Sequence, residues 1–210
     1  MSKELRVAVL GAGMAGLLAG IKLQEMGIRD VTIYEKADRV GGTWRENTYP
    51  GLTCDVPSHH YTYSFERNPD WTRHLPPGPE IQAYFERVCV KYGLEAQLRF
   101  GEKATHAEFL DGRWQLRFES GHADSADVLI AATGVLHRPR LPNISGMDAF
   151  KGDLFHSARW DHTVPLEGRR IGVIGSGSTG VQIISALAGR AGLIEHYPVS
   201  YTHLRAHETA

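Results

Sequence analysis

The chain has 210 residues, of which 42% are hydrophobic, and its 23 basic residues balance 24 acidic ones. This composition supports a buried core in one or two domains and lacks the basic surplus of a nucleic-acid-binding protein, so no nucleic-acid partner is expected. The first apolar run, residues 7–10, is too short for a signal peptide or a membrane span. We therefore expect a cytoplasmic protein without stable membrane insertion.

The first predicted unit is a compact β-α-β arrangement. A buried strand over residues 5–10 leads directly into a glycine-rich turn at residues 11–16, and apolar residues at helical spacing predict a helix over 14–26. A second strand over 31–34 ends at Glu35. An acid about twenty residues beyond the glycines matches the spacing of the dinucleotide-binding fingerprint.

Each glycine of this turn has its own expected role. Gly11 permits the tight bend, Gly13 lets the backbone approach a pyrophosphate, and Gly16 allows the helix to pack closely on its strand. The helix N-terminus offers free N–H groups and about half a positive charge to the pyrophosphate. Glu35 is expected to accept both ribose hydroxyls of the adenosine half and to repel the 2′-phosphate of NADP. This turn therefore favours FAD or NAD.

The middle of the chain predicts a long loop, a helix and a hairpin. The loop, residues 39–60, is rich in Gly, Pro, Asn and Thr and is expected to carry function. A helix over 79–92 has one apolar face, which we interpret as core packing. Residues 98–109 and 113–119 alternate polar and apolar side chains around an Asp-Gly turn and predict an antiparallel hairpin. A buried strand over 127–132 follows.

A second β-α-β unit begins near residue 170. A strand over 170–174 leads into a second glycine turn at 175–180, with a helix over 179–187 and the start of a strand at 193–197. The predicted cofactor-binding residues of this turn are Gly175, Gly177, Thr179 and Gly180. The hydroxyl residues expected near its phosphate are Ser176, Ser178 and Thr179. Two such turns imply two dinucleotides, a bound flavin and a nicotinamide hydride donor.

The expected fold is α/β with two Rossmann-like dinucleotide-binding domains. An FAD-binding domain with a β-hairpin insertion is expected over residues 1–140 and a linker over 141–168. The start of an inserted NADP-binding domain is expected over 169–198. Residues 199–210 resemble the translation of a transposase sequencing adapter, so we expect a non-native tail on a C-terminally truncated chain.

Cysteine and histidine spacing predicts no metal site. Cys54 and Cys89 are single and far apart, so both are expected to be free thiols. The adjacent His59 and His60 lack paired cysteine or acidic ligands at metal spacing. A histidine pair at i,i+4 spacing in the tail is given no metal role.

Two stretches of the sequence resemble motifs of the Baeyer–Villiger monooxygenases, which belong to the flavin-containing monooxygenase superfamily. The first motif comprises Gly41, Gly42, Thr43, Trp44, Tyr49, Pro50, Gly51 and Asp55. The second comprises Phe150, Gly152, His156, Trp160 and Asp161. Together with the two glycine turns, these motifs cover nearly all of residues 5–198.

The resemblance implies a class B flavoprotein monooxygenase that uses FAD and NADPH. Such an enzyme inserts one oxygen atom of dioxygen beside the carbonyl of a small-molecule ketone and forms an ester or lactone. By motif position, Thr43, Trp44 and Tyr61 are implied to lie beside the flavin. Asp55 is implied to be a cofactor contact and the active-site carboxylate, which orients an arginine beyond the end of this chain. The alternative for Asp55 is a residue of an Asx-turn.

The second motif has two open interpretations. Its residues form a hinge that couples flavin and nicotinamide domains, or they are structural. In the structural interpretation, Trp160 fills an interdomain core and His156 bonds a backbone carbonyl.

Other functions remain alternatives at this point. An N- or S-oxygenating flavin-containing monooxygenase uses similar chemistry on a soft nucleophile, although Asp55 and the Trp160-Asp161 pair argue against it. A flavin disulfide reductase is discarded, because it needs a redox cysteine pair and Cys54 stands alone. The other alternative is a non-catalytic truncated fragment.

The 210-residue chain expressed alone is expected to be insoluble, or to fail to retain flavin, and to be inactive. The reason is that a doubly wound sheet without its later strands exposes an unpaired edge and an open apolar face. The absorbance spectrum of the soluble fraction and an NADPH oxidation assay check this. A soluble, yellow, NADPH-oxidising preparation would contradict it.

Overall fold

The computed structural model describes residues 5–198, so the predicted tail at 199–210, including His203 and His207, lies outside the described residues. The chain divides into two compact units. The first comprises the residues up to Glu46, Thr62–Pro69 and Pro79–Arg138, and the second comprises Asn47–Tyr61, Asp70–Gly78 and the residues from Pro139. The domain boundaries expected from the sequence stay a prediction.

The α/β fold class is confirmed by the order of the elements. The strands of the described part are β1 (Val7–Leu10), β2 (Val31–Tyr34), β3 (Leu98–Arg99), β4 (Ala104–Leu110), β5 (Arg113–Phe118), β6 (Ala123–Ala126), β7 (Val128–Ala131), β8 (Arg170–Ile174) and β9 (Leu193–Tyr197). The α-helices are α1 (Met14–Glu25), α2 (Thr43–Glu46), α3 (Gly78–Lys91) and α4 (Ser178–Leu187). Short 3-10 helices span Ser58–His60, Leu94–Gln97, Met147–Ala149 and Ser157–Arg159.

The first unit is built on a parallel sheet with the strand order β3-β2-β1-β7. Val7, Ala8 and Val9 of β1 and all four residues of β2 are buried, as expected for central parallel strands with both faces covered. The expected burial of the strand over 127–132 is wrong at its ends, because β7 lies at the edge of this sheet and Val128 is 38% exposed.

A three-stranded antiparallel sheet, β4-β5-β6, extends the predicted hairpin. Asp111 and Gly112 both have positive φ, 50° and 78°, as a type I′ turn requires. The prediction of one strand over 98–109 is wrong. Leu98–Arg99 instead pairs in parallel with β2, and Gly101, at φ 72°, turns the chain before β4 begins. The sequence interpretation did not use Gly101 as a break and therefore joined the two strands.

Helix α3 packs into the core of the first unit, as its apolar face predicts. Ile81, Tyr84, Phe85 and Val88 are each exposed by 2% or less. Cys54 and Cys89 are free thiols, as expected, and the structure buries both. Burial raises the pKa of the Cys89 thiol to about 11, and Glu95 contributes to the rise.

The second unit contains the parallel pair β8-β9, helix α4 and a separate apolar core. Its buried members are Tyr49, Val173, Ile183 and Leu187. Tyr49 comes from the long loop, far along the chain from the others, so this loop is part of the core of the second unit. No helix within residues 5–198 is long and apolar enough to cross a membrane.

Asp124 on β6 joins the two sheets of the first unit. Its carboxylate accepts hydrogen bonds from the Tyr34 hydroxyl, at 2.6 Å, and from the Arg6 guanidinium. Burial alone would raise the pKa of Asp124, but the hydrogen bonds from Tyr34 and Arg6 outweigh it and lower the pKa. Burial, with Asp124 contributing, raises the pKa of Tyr34, so the phenol remains a donor.

We expect Asp124→Asn to lower the unfolding free energy at neutral pH by about 1–2 kcal/mol, since a charge-assisted hydrogen bond is lost from a partly exposed site. The folded-state pKa lies below the unfolded value of about 3.9, so the contribution is present above about pH 4 and is lost as the pH falls through the folded-state pKa. Urea unfolding at several pH values measures this. Asp111→Asn, in the exposed turn, is the control, and a loss that does not change with pH would contradict the assignment.

Candidate functional site

The first glycine turn is shaped by two close backbone approaches. Gly11 has φ 102° and its N–H donates to the Tyr34 carbonyl oxygen at 2.7 Å. A Cβ at Gly11 would overlap the Ala132 carbonyl oxygen, and a Cβ at Gly16 would overlap the Gly11 carbonyl oxygen. The fold therefore requires both glycines. Gly11 allows the tight bend, and Gly16 allows the helix to pack closely on its strand.

The second glycine turn repeats this geometry. Gly175 has φ 118°, and its N–H donates to the carbonyl oxygen of Tyr197 at 2.9 Å. A Cβ at Gly180 would overlap the Gly175 carbonyl oxygen, as in the first turn. Gly180 thus corresponds in position and cause to Gly16. Gly175 shares its positive φ with Gly11, but a Cβ at Gly175 would meet nothing within 4 Å.

The central glycines, Gly13 and Gly177, differ from the others because the protein does not require them. Gly13 has φ −80° and Gly177 has φ −73°, values open to any residue. A Cβ at Gly177 would meet nothing within 4 Å, and one at Gly13 would only touch Gly42 at 3.5 Å. Each is the N-cap of a helix, α1 or α4. The open space over two helix N-termini fits groups that approach the backbone closely, such as phosphates.

Glu35 lies directly after β2 and is 4% exposed. Its Oε2 accepts the Ala12 N–H at 2.9 Å, and its Oε1 accepts the Ala37 N–H at 3.0 Å. The Arg45 guanidinium lies 3.1 Å from Oε1. The sequence interpretation included no partner for Glu35 within the protein. Arg45 was missed because nothing in its spacing links it to an acid ten residues earlier.

Thr43 and Trp44 begin α2, which follows the Gly41-Gly42 pair. Both glycines have positive φ, 122° and 55°. A Cβ at Gly41 would overlap the side-chain amide of Gln82, whose Nε2 donates to the Val40 carbonyl oxygen at 2.9 Å. Gln82 on α3 therefore supports the start of the first motif, a contact that the apolar pattern of the helix did not indicate.

The second half of the first motif packs on helix α4 through Gln182. The Tyr49 hydroxyl donates to Gln182 Oε1 at 2.9 Å, and Gln182 Nε2 donates to the Thr53 carbonyl oxygen at 3.0 Å. A Cβ at Gly51, which has φ 81°, would lie 2.6 Å from the Gln182 carbonyl oxygen. Burial, with Asp55 contributing, raises the pKa of Tyr49 against the opposing hydrogen bond with Thr179. Sequence reasoning missed Gln182, which lies outside both motifs.

Asp55 is exposed and meets the second glycine turn. Its Oδ2 accepts a hydrogen bond from the Ser178 hydroxyl at 3.0 Å. The Thr179 and Tyr49 hydroxyls lie 3.4 Å apart. The structure thus gives protein partners to two of the hydroxyls that the sequence assigned to a phosphate. Tyr61 follows the Ser58–His60 turn and is partly buried.

The second motif lies in the second unit, where its aromatic and acidic residues have structural contacts. Trp160 packs against the core that contains Tyr49, and the Phe155 ring lies edge-on to it at 5.1 Å. His156 Nδ1 accepts the Ala158 N–H at 3.0 Å and caps a short helix, and the bond from His156 to a backbone carbonyl stays a prediction. The hinge role stays a prediction.

The remaining motif residues have local partners. Hydrogen bonds from the Thr163 hydroxyl and N–H lower the pKa of Asp161. Phe150 is 60% exposed, and a side chain at Gly152 would displace its ring. Among residues 5–198 no group of three or more His, Cys, Asp or Glu side chains is placed to hold a metal ion.

The two glycine turns, each between a parallel strand and a helix, place the chain in the class of Rossmann-like dinucleotide-binding proteins. Residues 9–75 match the family described as NAD(P)-binding Rossmann-like domain. Residues 68–195, more than half of the chain, match the flavin-binding monooxygenase-like family. The chain belongs to the flavin-binding monooxygenase-like family.

Relatives and solved structures confirm the resemblance to Baeyer–Villiger monooxygenases. An uncharacterized monooxygenase of Mycobacterium tuberculosis is 61% identical over 188 residues, which are 90% of this chain and 38% of the relative. A Baeyer–Villiger monooxygenase of Streptomyces coelicolor is 44% identical, over 88% of this chain and 36% of its own. A cyclohexanone monooxygenase of Rhodococcus sp. Phi1 bound to NADP+ superimposes with TM-score 0.85 at 36% identity, over 91% of this chain and 38% of that one. The chain thus spans under two-fifths of the length of these proteins.

We expect Gly16→Ala and Gly13→Ala to differ sharply in stability. The first forces a Cβ into a backbone oxygen and should lower the unfolding free energy by about 3 kcal/mol or more. The second changes a helix N-cap with room for a methyl group and should cost about 1 kcal/mol or less. Urea unfolding of both variants beside the wild type measures the difference. Equal losses would show that Gly13 is also required by the fold.

Proposed function

We propose that, within the full-length protein, this chain binds FAD at the first glycine turn and NADPH at the second. The observation that carries this proposal is the pair Gly13 and Gly177, which lack side chains at helix N-termini although the protein leaves room for them. The relatives support the choice of cofactors, since one is named as an FAD-binding monooxygenase and a solved steroid monooxygenase, 39% identical, is bound to NADP.

The residues that directly follow β2 and β9, the second strand of each β-α-β unit, support the assignment of each cofactor. Tyr34 and Tyr197 are equivalent, since each accepts the N–H of the first glycine of its turn. Glu35 follows Tyr34, whereas Pro198 follows Tyr197. The carboxylate that would repel a 2′-phosphate is thus present at the first turn and replaced by a neutral residue at the second. This favours FAD at the first turn and NADPH rather than NADH at the second.

The proposed reaction converts a small-molecule ketone, dioxygen, NADPH and a proton into an ester or lactone, water and NADP+. FAD and NADPH, when bound, supply the electrons and the activation of dioxygen. We assign Thr43, Trp44 and Tyr61 to the surroundings of the flavin. The cytoplasmic location stays a prediction.

Asp55 is the proposed active-site carboxylate. Its exposed side chain is held by the Ser178 hydroxyl, and its loop is held on α4 by Tyr49, Gly51 and Gln182. This loop therefore holds the Asp55 carboxylate beside the N-terminus of α4, where we propose that NADPH binds. Such a charge can orient a positively charged group during the reaction.

Product analysis tests the proposed reaction. The full-length protein that contains this chain, loaded with FAD, is given a cyclic ketone or a thioether with NADPH and dioxygen. We expect a lactone from the ketone, detected by mass spectrometry. Oxidation of the thioether alone would overturn the proposal in favour of an N- or S-oxygenating enzyme.

Glycine variants separate the two cofactor assignments. Gly13→Ala should weaken FAD binding, and Gly177→Ala should raise the KM for NADPH while leaving the flavin content unchanged. The added methyl group keeps the phosphate away from the backbone N–H groups. Each change should therefore be about tenfold or more, which corresponds to the loss of one charge-assisted hydrogen bond. Unchanged binding in both variants would refute the assignment of the open space to phosphate groups.

A further inference from the structure

Arg45 belongs to a buried network of alternating charges in the first unit. Its guanidinium lies 3.1 Å from Glu35 Oε1 and 3.2 Å from Glu46 Oε1, and the Lys36 ammonium lies 2.8 Å from the same Glu46 oxygen. The side chains of Arg45, Glu35 and Glu46 are 7%, 5% and 10% exposed. A buried guanidinium needs such partners, because an unpaired charge is costly to remove from water.

The hydrogen bonds of Glu35 leave its two oxygens unequal. An ionised carboxylate offers about four acceptor positions, two on each oxygen. Oε1 accepts the Ala37 N–H and lies 3.1 Å from the Arg45 guanidinium in an ion pair, whereas Oε2 accepts the Ala12 N–H. Two protein groups, the Ala37 N–H and the guanidinium, therefore lie against Oε1, whereas Oε2 has a single protein donor. The sequence interpretation, in which Glu35 accepts both ribose hydroxyls, needs an open position on each oxygen.

Arg45 is held in place from a second side. Its Nη1 also donates to the Arg39 carbonyl oxygen at 2.7 Å. It lies on α2, directly after Thr43 and Trp44, which we assign to the surroundings of the flavin. A displacement of Arg45 from Glu35 would thus also disturb the turn that leads into α2.

We propose that Arg45 is a positioning residue of the FAD site that restricts Glu35 to one ribose hydroxyl. It occupies Oε1, so that only Oε2 receives a hydroxyl of the adenosine ribose. This inference rests on the proposed binding of FAD at the first glycine turn. It predicts that the site distinguishes the two hydroxyls of one ribose.

The test uses FAD and two analogues that lack either the 2′- or the 3′-hydroxyl of the adenosine ribose. The full-length protein that contains this chain is freed of flavin and titrated with each ligand while flavin fluorescence is followed. In the wild type, one analogue should bind about tenfold to a hundredfold more weakly than FAD, because one charge-assisted hydrogen bond is lost. The other analogue should bind within about twofold of FAD, since its missing hydroxyl has no position on Glu35.

Substitutions at Arg45 test its part in this preference. Arg45→Met opens Oε1, so both analogues should then bind more weakly than FAD. Arg45→Lys keeps a donor beside Oε1 and should retain the one-sided preference. Arg190→Met, which removes an exposed arginine ion pair in the second unit, is the matched control and should behave as the wild type. General damage to the fold would weaken all three ligands alike, so the ratios between them identify positioning.

Two results overturn the inference about Arg45 alone. One is wild-type protein that binds FAD and penalises both analogues, or neither. The other is Arg45→Met that keeps the one-sided preference. The wild-type measurement needs no substitution, so it decides the question even where a variant fails to fold. Absence of FAD binding by the wild type overturns the proposed function as well. The two failures are therefore distinguished by whether the wild type binds FAD.

Discussion

The contact between a helical glycine and the carbonyl oxygen at the start of its turn is the constraint on which both nucleotide-binding units depend. Gly16 lies over the Gly11 carbonyl oxygen, and Gly180 lies over that of Gly175, with no room for a Cβ at either helical position. Interiors packed at crystal-like density cannot absorb an added methyl group without displacement. This contact fixes each helix on its strand and thereby brings the helix N-terminus to the end of the sheet.

The central glycines point to a ligand, because the fold does not require a glycine at either position. Gly13 and Gly177 have ordinary backbone angles and open surroundings. A glycine without a structural cause at a helix N-terminus indicates a group that must approach the backbone, and phosphates prefer such positions. The backbone angles and the space around each Cα separate the glycines that the fold requires from those that it does not. The sequence pattern of the turn does not make this separation.

Polar side chains outside the motifs hold the motif residues in place. Gln182 binds Tyr49 and Thr53, Gln82 supports Gly41, and Arg45 pairs with Glu35. These contacts hold the loop over residues 39–60 in place, although it contains little regular structure. Because a buried polar group that loses its partner is costly, such contacts hold these residues in one geometry.

The sequence by itself determined the two strand–turn–helix units, the apolar face of α3, the Asp111-Gly112 turn and the family. These features depend on local spacing, on glycine and on apolar periodicity, which the order of residues records directly. Only the tertiary structure decided that residues 98 and 99 join the parallel sheet, that Asp55 meets Ser178, and that Glu35 pairs with Arg45 and accepts the Ala12 N–H. Those outcomes depend on hydrogen bonds between residues distant in the chain, and a hydrogen bond carries no periodicity that would reveal its partner.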